Sequence, residues 1–195
     1  FARAAVSRYA PQGVQHYEIW NEPNLSAFWK PAPDAVRYTA LLKAAYTAIK
    51  SANASAVVLA GAFSPAGGYN DPSCGGGATV NINALNFLET MYANGAKGHF
   101  DALSHHPYAG SAGPSGTHRC SAWYQMFGTT PSLRSILTSK GDGDMKIWGT
   151  EFGTDLAWVG GSEEQQAGQI AEAVRSWCTC SWAAGQMVYS CKQDI

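Results

Sequence analysis

The chain has 195 residues, enough for one domain with a sizeable core, and residues 1–195 are predicted to form a single domain. Its formal net charge is −1 and it has no basic stretch, which excludes the charge pattern of a nucleic-acid-binding surface. No apolar run is long enough to cross a bilayer, so we expect neither nucleic acid nor a membrane as a partner.

Aromatic residues are frequent and charged residues are scarce. Aromatics make up 12% of the chain, and charged residues make up 14%. Typical soluble domains have roughly 25% charged residues. This composition suits a well-packed core, and it equally suits a groove in which aromatic rings stack on the apolar faces of sugars. Composition alone leaves both interpretations open.

The five cysteines contain no paired C-x-x-C metal site. Cys178 and Cys180 are two residues apart on a helical pattern, where side chains at this spacing point to different sides. Cys74 and Cys120 both lie in loops rich in Gly and Ser, and we predict a disulfide bond between them. Such a bond is typical of exported proteins, so we expect the chain to be secreted or extracellular.

Strand and helix patterns alternate along the chain, with no internal repeat and no long linker. The elements are predicted in this order: the end of a helix at 1–10, a strand at 14–20, a helix at 34–52, a strand at 56–62, a helix at 83–94, a strand at 100–105, short helices within 123–139, a strand at 146–150, a helix from 162 and a strand at 186–190. This alternation predicts a parallel α/β architecture, either an open sheet or part of an eight-stranded barrel. In both, functional groups collect at the carboxyl ends of the strands.

Two glutamates stand at predicted strand ends: Glu22 just before Pro23, and Glu151 just before Phe152. Hydrolysis of a glycosidic bond needs two carboxyl groups at one mouth, because one donates a proton while the other attacks or activates water. A strand-end glutamate is more often part of a surface salt bridge, but aromatic and small residues surround both of these. Glu18, inside the first strand, is expected to find a partner or to lie near the end of a barrel.

The residues around Glu22 carry the most specific pattern in the chain. The octapeptide YEIWNEPN at 17–24 resembles the fourth-strand motif of glycoside hydrolase clan A, the retaining (β/α)8-barrel glycosidases. In that clan the Asn-Glu pair supplies the acid/base and an Asn that hydrogen-bonds the sugar 2-hydroxyl, which the resemblance places on Glu22 and Asn21. The segments SHHPY at 104–108 and IWGTEFG at 147–153 resemble the clan's sixth-strand and nucleophile motifs, in the same order.

This resemblance, which is nearest to families 5 and 39 and to bacterial proteins, implies further roles. Glu151 is expected to be the nucleophile, and His106 and Tyr108 to hydrogen-bond it or sugar hydroxyls. The candidate stacking platforms are Trp20, Trp29 and Trp148. Core packing is the commoner role for the first and the last of these, whereas Trp29 lies in a loop that favours the groove. The implied mechanism requires no cofactor and no metal ion, and the sequence shows no cluster with ligand spacing.

The resemblance also implies an incomplete (β/α)8 TIM-type barrel of about five strands, corresponding to strands 4 to 8. Strands one to three are expected before Phe1. Two open sheet edges would expose backbone groups and apolar faces, and a homodimer is one arrangement that would cover them. Relatives usually place a Trp beneath the sugar where Cys191 stands, and a cysteine cannot stack on a ring.

Three hypotheses about function follow. The first is a retaining glycoside hydrolase that cleaves β-linked glycans such as xylan or glucan. The second is a truncated, weakly active or inactive carbohydrate-binding barrel fragment. The third, an α/β hydrolase or esterase, requires a Gly-x-Ser-x-Gly nucleophile elbow, and the sequence has none.

Overall fold

The structure is a computed structural model, which describes residues 1–66, 81–118 and 120–189, with the backbone alone of Trp158. Within these residues five parallel strands form one sheet in the order β1-β2-β3-β4-β5. The strands are β1 (His16–Ile19), β2 (Val57–Phe63), β3 (Ala102–His105), β4 (Lys146–Phe152) and β5 (Ala183–Val188). The predicted parallel α/β architecture is therefore confirmed.

Helices connect the strands. They are α1 (Ala2–Tyr9), α2 (Ala35–Ala52), α3 (Ala84–Ala93), α4 (Leu133–Ser139) and α5 (Glu163–Cys178), with a π-helical turn at Tyr124–Gly128 and 3-10 turns at Ala10–Gln12, Gly110–Ala112 and Leu156–Val159. No helix in the described part of the chain is both long and apolar enough to cross a membrane.

The last strand begins at Ala183, three residues earlier than predicted. Its first residues, Ala183 to Gly185, lack the β-branched side chains that mark strands in a sequence. Pairing with β4 creates this part of the strand, and Gly185 is required there because a Cβ atom would lie 2.5 Å from the ring of Trp148. Tertiary contact therefore overrides local propensity at this position.

Helix α2 shows how local sequence builds the core. The Asp34 side chain accepts hydrogen bonds from the backbone N–H groups of Val36 and Arg37, which caps the start of the helix. The apolar stripe predicted from the 3.6-residue period is buried as expected: Ala35, Tyr38, Leu42, Ala45 and Ile49. Four of these residues, all but Ala45, pack in one hydrophobic core with residues of α3, α4 and the sheet.

The inner face of the sheet is concave and partly open. Along β1 the side chains alternate, with Tyr17 and Ile19 half-buried and His16 and Glu18 exposed. The ring of His16 nevertheless lies 4.7 Å, between ring centroids, from the ring of Trp148 on β4, although two strands separate β1 from β4. The sheet is thus curved as in a barrel, and its carboxyl ends converge.

Candidate active site

Three side chains from three strand ends meet at the mouth of the curved sheet. One carboxylate oxygen each of Glu22 and Glu151 and a ring nitrogen of His106 all lie within 4.8 Å of one another. His106 Nδ1 is 3.0 Å from Glu22 Oε1 and 3.5 Å from Glu151 Oε2. Because parallel strands end at the same edge, residues far apart in the chain become neighbours here.

The backbone at the end of β1 adopts an uncommon conformation. Trp20 has φ 73° and Glu22 has φ 41°, a left-handed region that costs a residue with a side chain about 1–3 kcal/mol. Glu22 is held there by two hydrogen bonds, from its N–H to Ala62 O (3.1 Å) and from Leu25 N–H to its own carbonyl (2.9 Å). Surrounding structure thus determines where the Glu22 side chain, only 11% exposed, points.

Tyr108 is the direct partner of Glu151. Its hydroxyl donates a hydrogen bond of 3.0 Å to Glu151 Oε2. Burial, together with the adjacent Glu151 carboxylate, raises the pKa of Tyr108 above its ordinary value, so the hydroxyl remains a donor at neutral pH. The preceding residue, Pro107, is anchored because its carbonyl accepts a 2.7 Å hydrogen bond from the indole N–H of buried Trp123.

His105 lies beside the site without facing it. It is 1% exposed and neither ring nitrogen makes a hydrogen bond of good geometry within the described residues. Burial, and to a smaller extent the neighbouring His106, lower the pKa of His105 to about 3, against opposing contributions from the nearby backbone of Ala122 and Phe63. His105 is therefore a neutral, buried support next to His106.

The three candidate tryptophans differ in their surroundings. Trp20 is 51% exposed, so its ring is outside the core, contrary to the packing role that the sequence favoured. Its indole N–H donates to Phe28 O at 3.1 Å, and its ring meets Trp29 edge-on at 5.3 Å. Trp29 is partly buried and also meets Tyr38 edge-on, whereas Trp148 lies half-buried on the concave face. Of the three, Trp20 offers the most open ring.

Sequence reasoning assigned no role to Asn24, although it belongs to the recognised octapeptide. The side chain is fully buried and satisfied: its N–H groups donate to Ser64 O (2.8 Å) and Ile82 O (2.9 Å), and its Oδ1 accepts from Ser64 N–H (3.1 Å). Asn24 thereby ties the loop after β1 to the end of β2. The adjacent Asn21 is half-buried, and its role toward a sugar 2-hydroxyl stays a prediction.

The cysteines are partly placed by the structure. Cys120 takes part in a disulfide bond, and Cys178 and Cys180 are free. Cys74, its predicted partner, and Cys191 lie outside the described residues. The pairing of Cys74 with Cys120 therefore stays a prediction.

Glu22, His106 and Glu151 are close enough to share a metal ion. The sequence named all three as site residues but showed no ligand spacing, because they come from three different strands. Two carboxylates and an imidazole are ligands that divalent transition metals accept. The same three groups form the mouth described above, so a bound ion would occupy the position of a reacting substrate.

No family model matches the sequence. The fold is nevertheless similar to that of solved glycoside hydrolases. One is a family 39 glycoside hydrolase from Bacteroides cellulosilyticus, with a TM-score of 0.66 and 23% identity. The match covers 96% of this chain and 35% of that protein. Another is a GH128 (subgroup II) endo-β-1,3-glucanase from Sorangium cellulosum, with a TM-score of 0.65, 22% identity and coverage of 66% of that protein and 98% of this chain.

A monomeric β-xylosidase from Caulobacter crescentus is also similar, with a TM-score of 0.63 at 17% identity, covering 97% of this chain and 37% of that protein. The chain thus spans from about a third to just under two thirds of the lengths of these three proteins. At such identities the likeness concerns the fold alone, and at that level it confirms the predicted resemblance. By its fold this chain is an incomplete barrel of the TIM type, the architecture of its glycoside hydrolase neighbours.

Proposed function

We propose that this chain carries the catalytic carboxylates of a retaining glycoside hydrolase that cleaves β-glycosidic bonds in oligo- or polysaccharides by double displacement. The observation that carries the proposal is the close approach of Glu22 and Glu151, whose nearest ligand oxygens are within 4.8 Å. Retaining enzymes place the two carboxyl groups about 5–5.5 Å apart, whereas inverting enzymes leave about 6.5–9.5 Å for a water molecule. One oxygen of each carboxylate within 4.8 Å of the other is nearer to the retaining arrangement, so we propose the retaining class.

In the proposed first step, a Glu151 carboxylate oxygen attacks the anomeric carbon while the Glu22 carboxyl gives its proton to the departing glycosidic oxygen. The products are a glycosyl ester on Glu151 and a free alcohol. In the second step Glu22, now a carboxylate, removes a proton from water, and the resulting hydroxide displaces Glu151 from the sugar. Two inversions at one carbon retain the β configuration.

His106 and Tyr108 support both steps in this proposal. The Tyr108 hydroxyl orients Oε2 of Glu151 through its 3.0 Å hydrogen bond, which leaves the other carboxylate oxygen free to attack. His106 Nδ1 lies within 3.5 Å of both glutamates and limits how far the two carboxyl groups can separate. Held in this way, the nucleophile and the proton donor lose little freedom when substrate binds.

Xylan- or glucan-like chains are the proposed substrates. The neighbours include a β-xylosidase, an endo-β-1,3-glucanase and a xyloglucanase. In this chain the exposed ring of Trp20 is the proposed stacking surface, and Asn21 is the proposed partner of the sugar 2-hydroxyl. We further propose a bacterial origin and an extracellular location, where such polysaccharides are degraded.

A truncated, weakly active or inactive carbohydrate-binding fragment is the alternative. It is favoured by the open concave face, where His16 and Glu18 of β1 are exposed instead of enclosed. A homodimer is the proposed arrangement that would cover this face and the edges formed by β1 and β5. The absence of a Trp at Cys191 would also weaken sugar binding.

The test is hydrolysis of aryl β-glycosides by wild type, Glu22→Ala and Glu151→Ala, with Glu164→Ala as a control at an exposed glutamate on α5. We expect both site variants to lose activity and the control to retain it. Added azide should restore Glu151→Ala and yield the α-glycosyl azide, since a single displacement inverts the anomeric carbon. Equal inactivity of wild type and all variants would favour the binding fragment.

A further inference from the structure

β2 carries a bulge directly behind the candidate site. Ala60 pairs with Leu103 and Phe63 pairs with His105, so Gly61 and Ala62 face a single residue of β3. Both bulge residues have left-handed backbone, with φ 109° for Gly61 and φ 53° for Ala62. A Cβ atom on the first would lie 2.8 Å from the carbonyl oxygen of Ser104, so only glycine fits.

Tyr38 holds the bulge on the side of β1. In the parallel β1–β2 ladder Val57 N–H donates to Gln15 O. Such bonds recur every two residues on each strand, so four residues further along Gly61 N–H stands opposite Ile19 O. The Tyr38 hydroxyl lies between these two groups. It accepts from Gly61 N–H at 2.8 Å and donates to Ile19 O at 2.9 Å, so a fully buried side chain replaces the direct ladder bond.

Ser104 holds the bulge on the side of β3. Its buried hydroxyl accepts a 2.7 Å hydrogen bond from Ala62 N–H and donates a longer one, 3.3 Å, to Ala60 O. Without this hydroxyl the N–H group of Ala62 would be buried and unpaired, which costs about 1–3 kcal/mol. Two hydroxyl groups thus satisfy the two N–H groups of the bulge, one from each flanking side.

The bulge and the residue after it hold the backbone of both site residues. Ala62 O accepts from Glu22 N–H at 3.1 Å, and Phe63 O accepts from His106 N–H at 2.8 Å. These consecutive carbonyls therefore anchor the two residues whose side chains meet at 3.0 Å. A shift of the bulge would move Glu22. Its left-handed backbone conformation is unfavourable by itself and is kept only by the surrounding contacts.

We propose that Tyr38 and Ser104 are positioning residues for the acid/base step, which act by holding the Gly61–Ala62 bulge so that the Glu22 carboxyl stays against His106. The inference rests on the proposed function for its catalytic meaning, and its structural part stands separately. Neither hydroxyl bonds the side chain of Glu22, His106 or Glu151: both bond backbone groups at or beside the bulge.

The test compares two substrates for wild type, Tyr38→Phe and Ser104→Ala. A 2,4-dinitrophenyl β-glycoside releases a stable anion and needs no proton from Glu22, whereas a 4-methoxyphenyl β-glycoside does. The ratio kcat/KM reports on the first bond cleavage. We expect each variant to lose about tenfold or more on the second substrate and to stay within about twofold on the first, since proton donation contributes about 10²–10⁴-fold.

Tyr92→Phe is the matched control. It removes the hydroxyl of a half-buried tyrosine, which donates to Asp142 in the loop before β4, at the opposite end of the sheet. Any general loss of stability should be similar in Tyr92→Phe, and both substrates should be cleaved as by wild type. Equal losses on both substrates in Tyr38→Phe and Ser104→Ala, or no loss, would overturn the inference.

Crystal structures of the two variants separate this inference from the proposed function. We expect the distance from Glu22 Oε1 to His106 Nδ1 to lengthen from 3.0 Å beyond hydrogen-bond range. If wild type cleaves neither substrate, the proposed function fails. Independently of activity, an unchanged distance between Glu22 Oε1 and His106 Nδ1 in the variants would refute the positioning role. Each hydroxyl holds one side of the bulge, so the crystal structure of either variant alone is enough for this test.

Discussion

Thr150 donates a hydrogen bond of 2.8 Å from its hydroxyl to Oε1 of Glu18, across the concave face of the sheet. The two residues belong to β4 and β1, which are separated in the sheet by β2 and β3. A flat sheet would keep these strands about 14 Å apart, at roughly 4.8 Å per strand. The contact is therefore possible only because the sheet is curved, which brings β4 toward β1. It also gives Glu18 the partner that the sequence led us to expect.

Tyr108→Phe tests the hydrogen bond to Glu151. Hydrogen bonds to charged groups contribute about 1.5–3 kcal/mol, so we expect kcat/KM on aryl β-glycosides to fall roughly 10- to 100-fold. Tyr17→Phe is the control, because the Tyr17 hydroxyl donates to Val14 O just before β1, away from the strand ends that carry the site. Equal activity of wild type and Tyr108→Phe would remove Tyr108 from the proposed mechanism.

The buried, neutral His105 should make the folded chain less stable in mild acid. Its pKa is about 3 in the folded chain and about 6.5 when unfolded, so between these values the unfolded chain binds a proton that the native chain does not. The free energy of unfolding should therefore fall as pH drops from about 6.5 to 3, by up to about 1.4 kcal/mol per pH unit.

Urea unfolding at several pH values measures this slope. We expect His105→Gln to show a shallower loss than wild type, while His118→Gln, at an exposed histidine, keeps the wild-type slope. The difference between the curve of His105→Gln and that of wild type isolates His105, because this substitution removes only that titratable group. Parallel curves for His105→Gln and wild type would contradict the prediction.

Trp20 and Trp148 should respond differently to truncation. Trp20→Ala removes an exposed ring, so we expect KM for xylo- or gluco-oligosaccharides to rise roughly three- to tenfold, as for an aromatic contact of about 0.5–1.5 kcal/mol, with little change in Tm. Trp148→Ala removes a ring packed against His16 and Gly185, so we expect a lower Tm. The reverse pattern would place Trp148 in the groove and Trp20 in a structural role.

The open edges predict a homodimer. Met187 and Val188 of the edge strand β5 are 51% and 40% exposed, and light scattering should give twice the mass of one chain at micromolar concentration. Met187→Lys should reduce the mass toward that of a monomer. Val36→Lys, at a similarly exposed residue on the outer helix α2, should leave it unchanged. A monomeric mass for wild type at every concentration would show that the edges are not covered in this way.

Local pattern was enough to predict most elements of the fold. The apolar run at 56–62 predicted β2, and the 3.6-residue stripe on α2 predicted which of its residues are buried. Prediction was weakest at β5, where small residues carry no strand signal and pairing with β4 decides the conformation. The octapeptide indicated Glu22 and Asn21, but nothing in it indicated that Asn24 ties two loops together.

The sequence by itself determined which residue types stand at the strand ends, because periodicity places Glu22, His106 and Glu151 just beyond apolar runs. Only the tertiary structure decided that these three side chains meet within 4.8 Å, and that two buried hydroxyl groups hold a bulge behind them. The reason is physical: strand periodicity is a property of neighbouring residues, whereas the curvature and register of a sheet depend on how distant segments pack against one another.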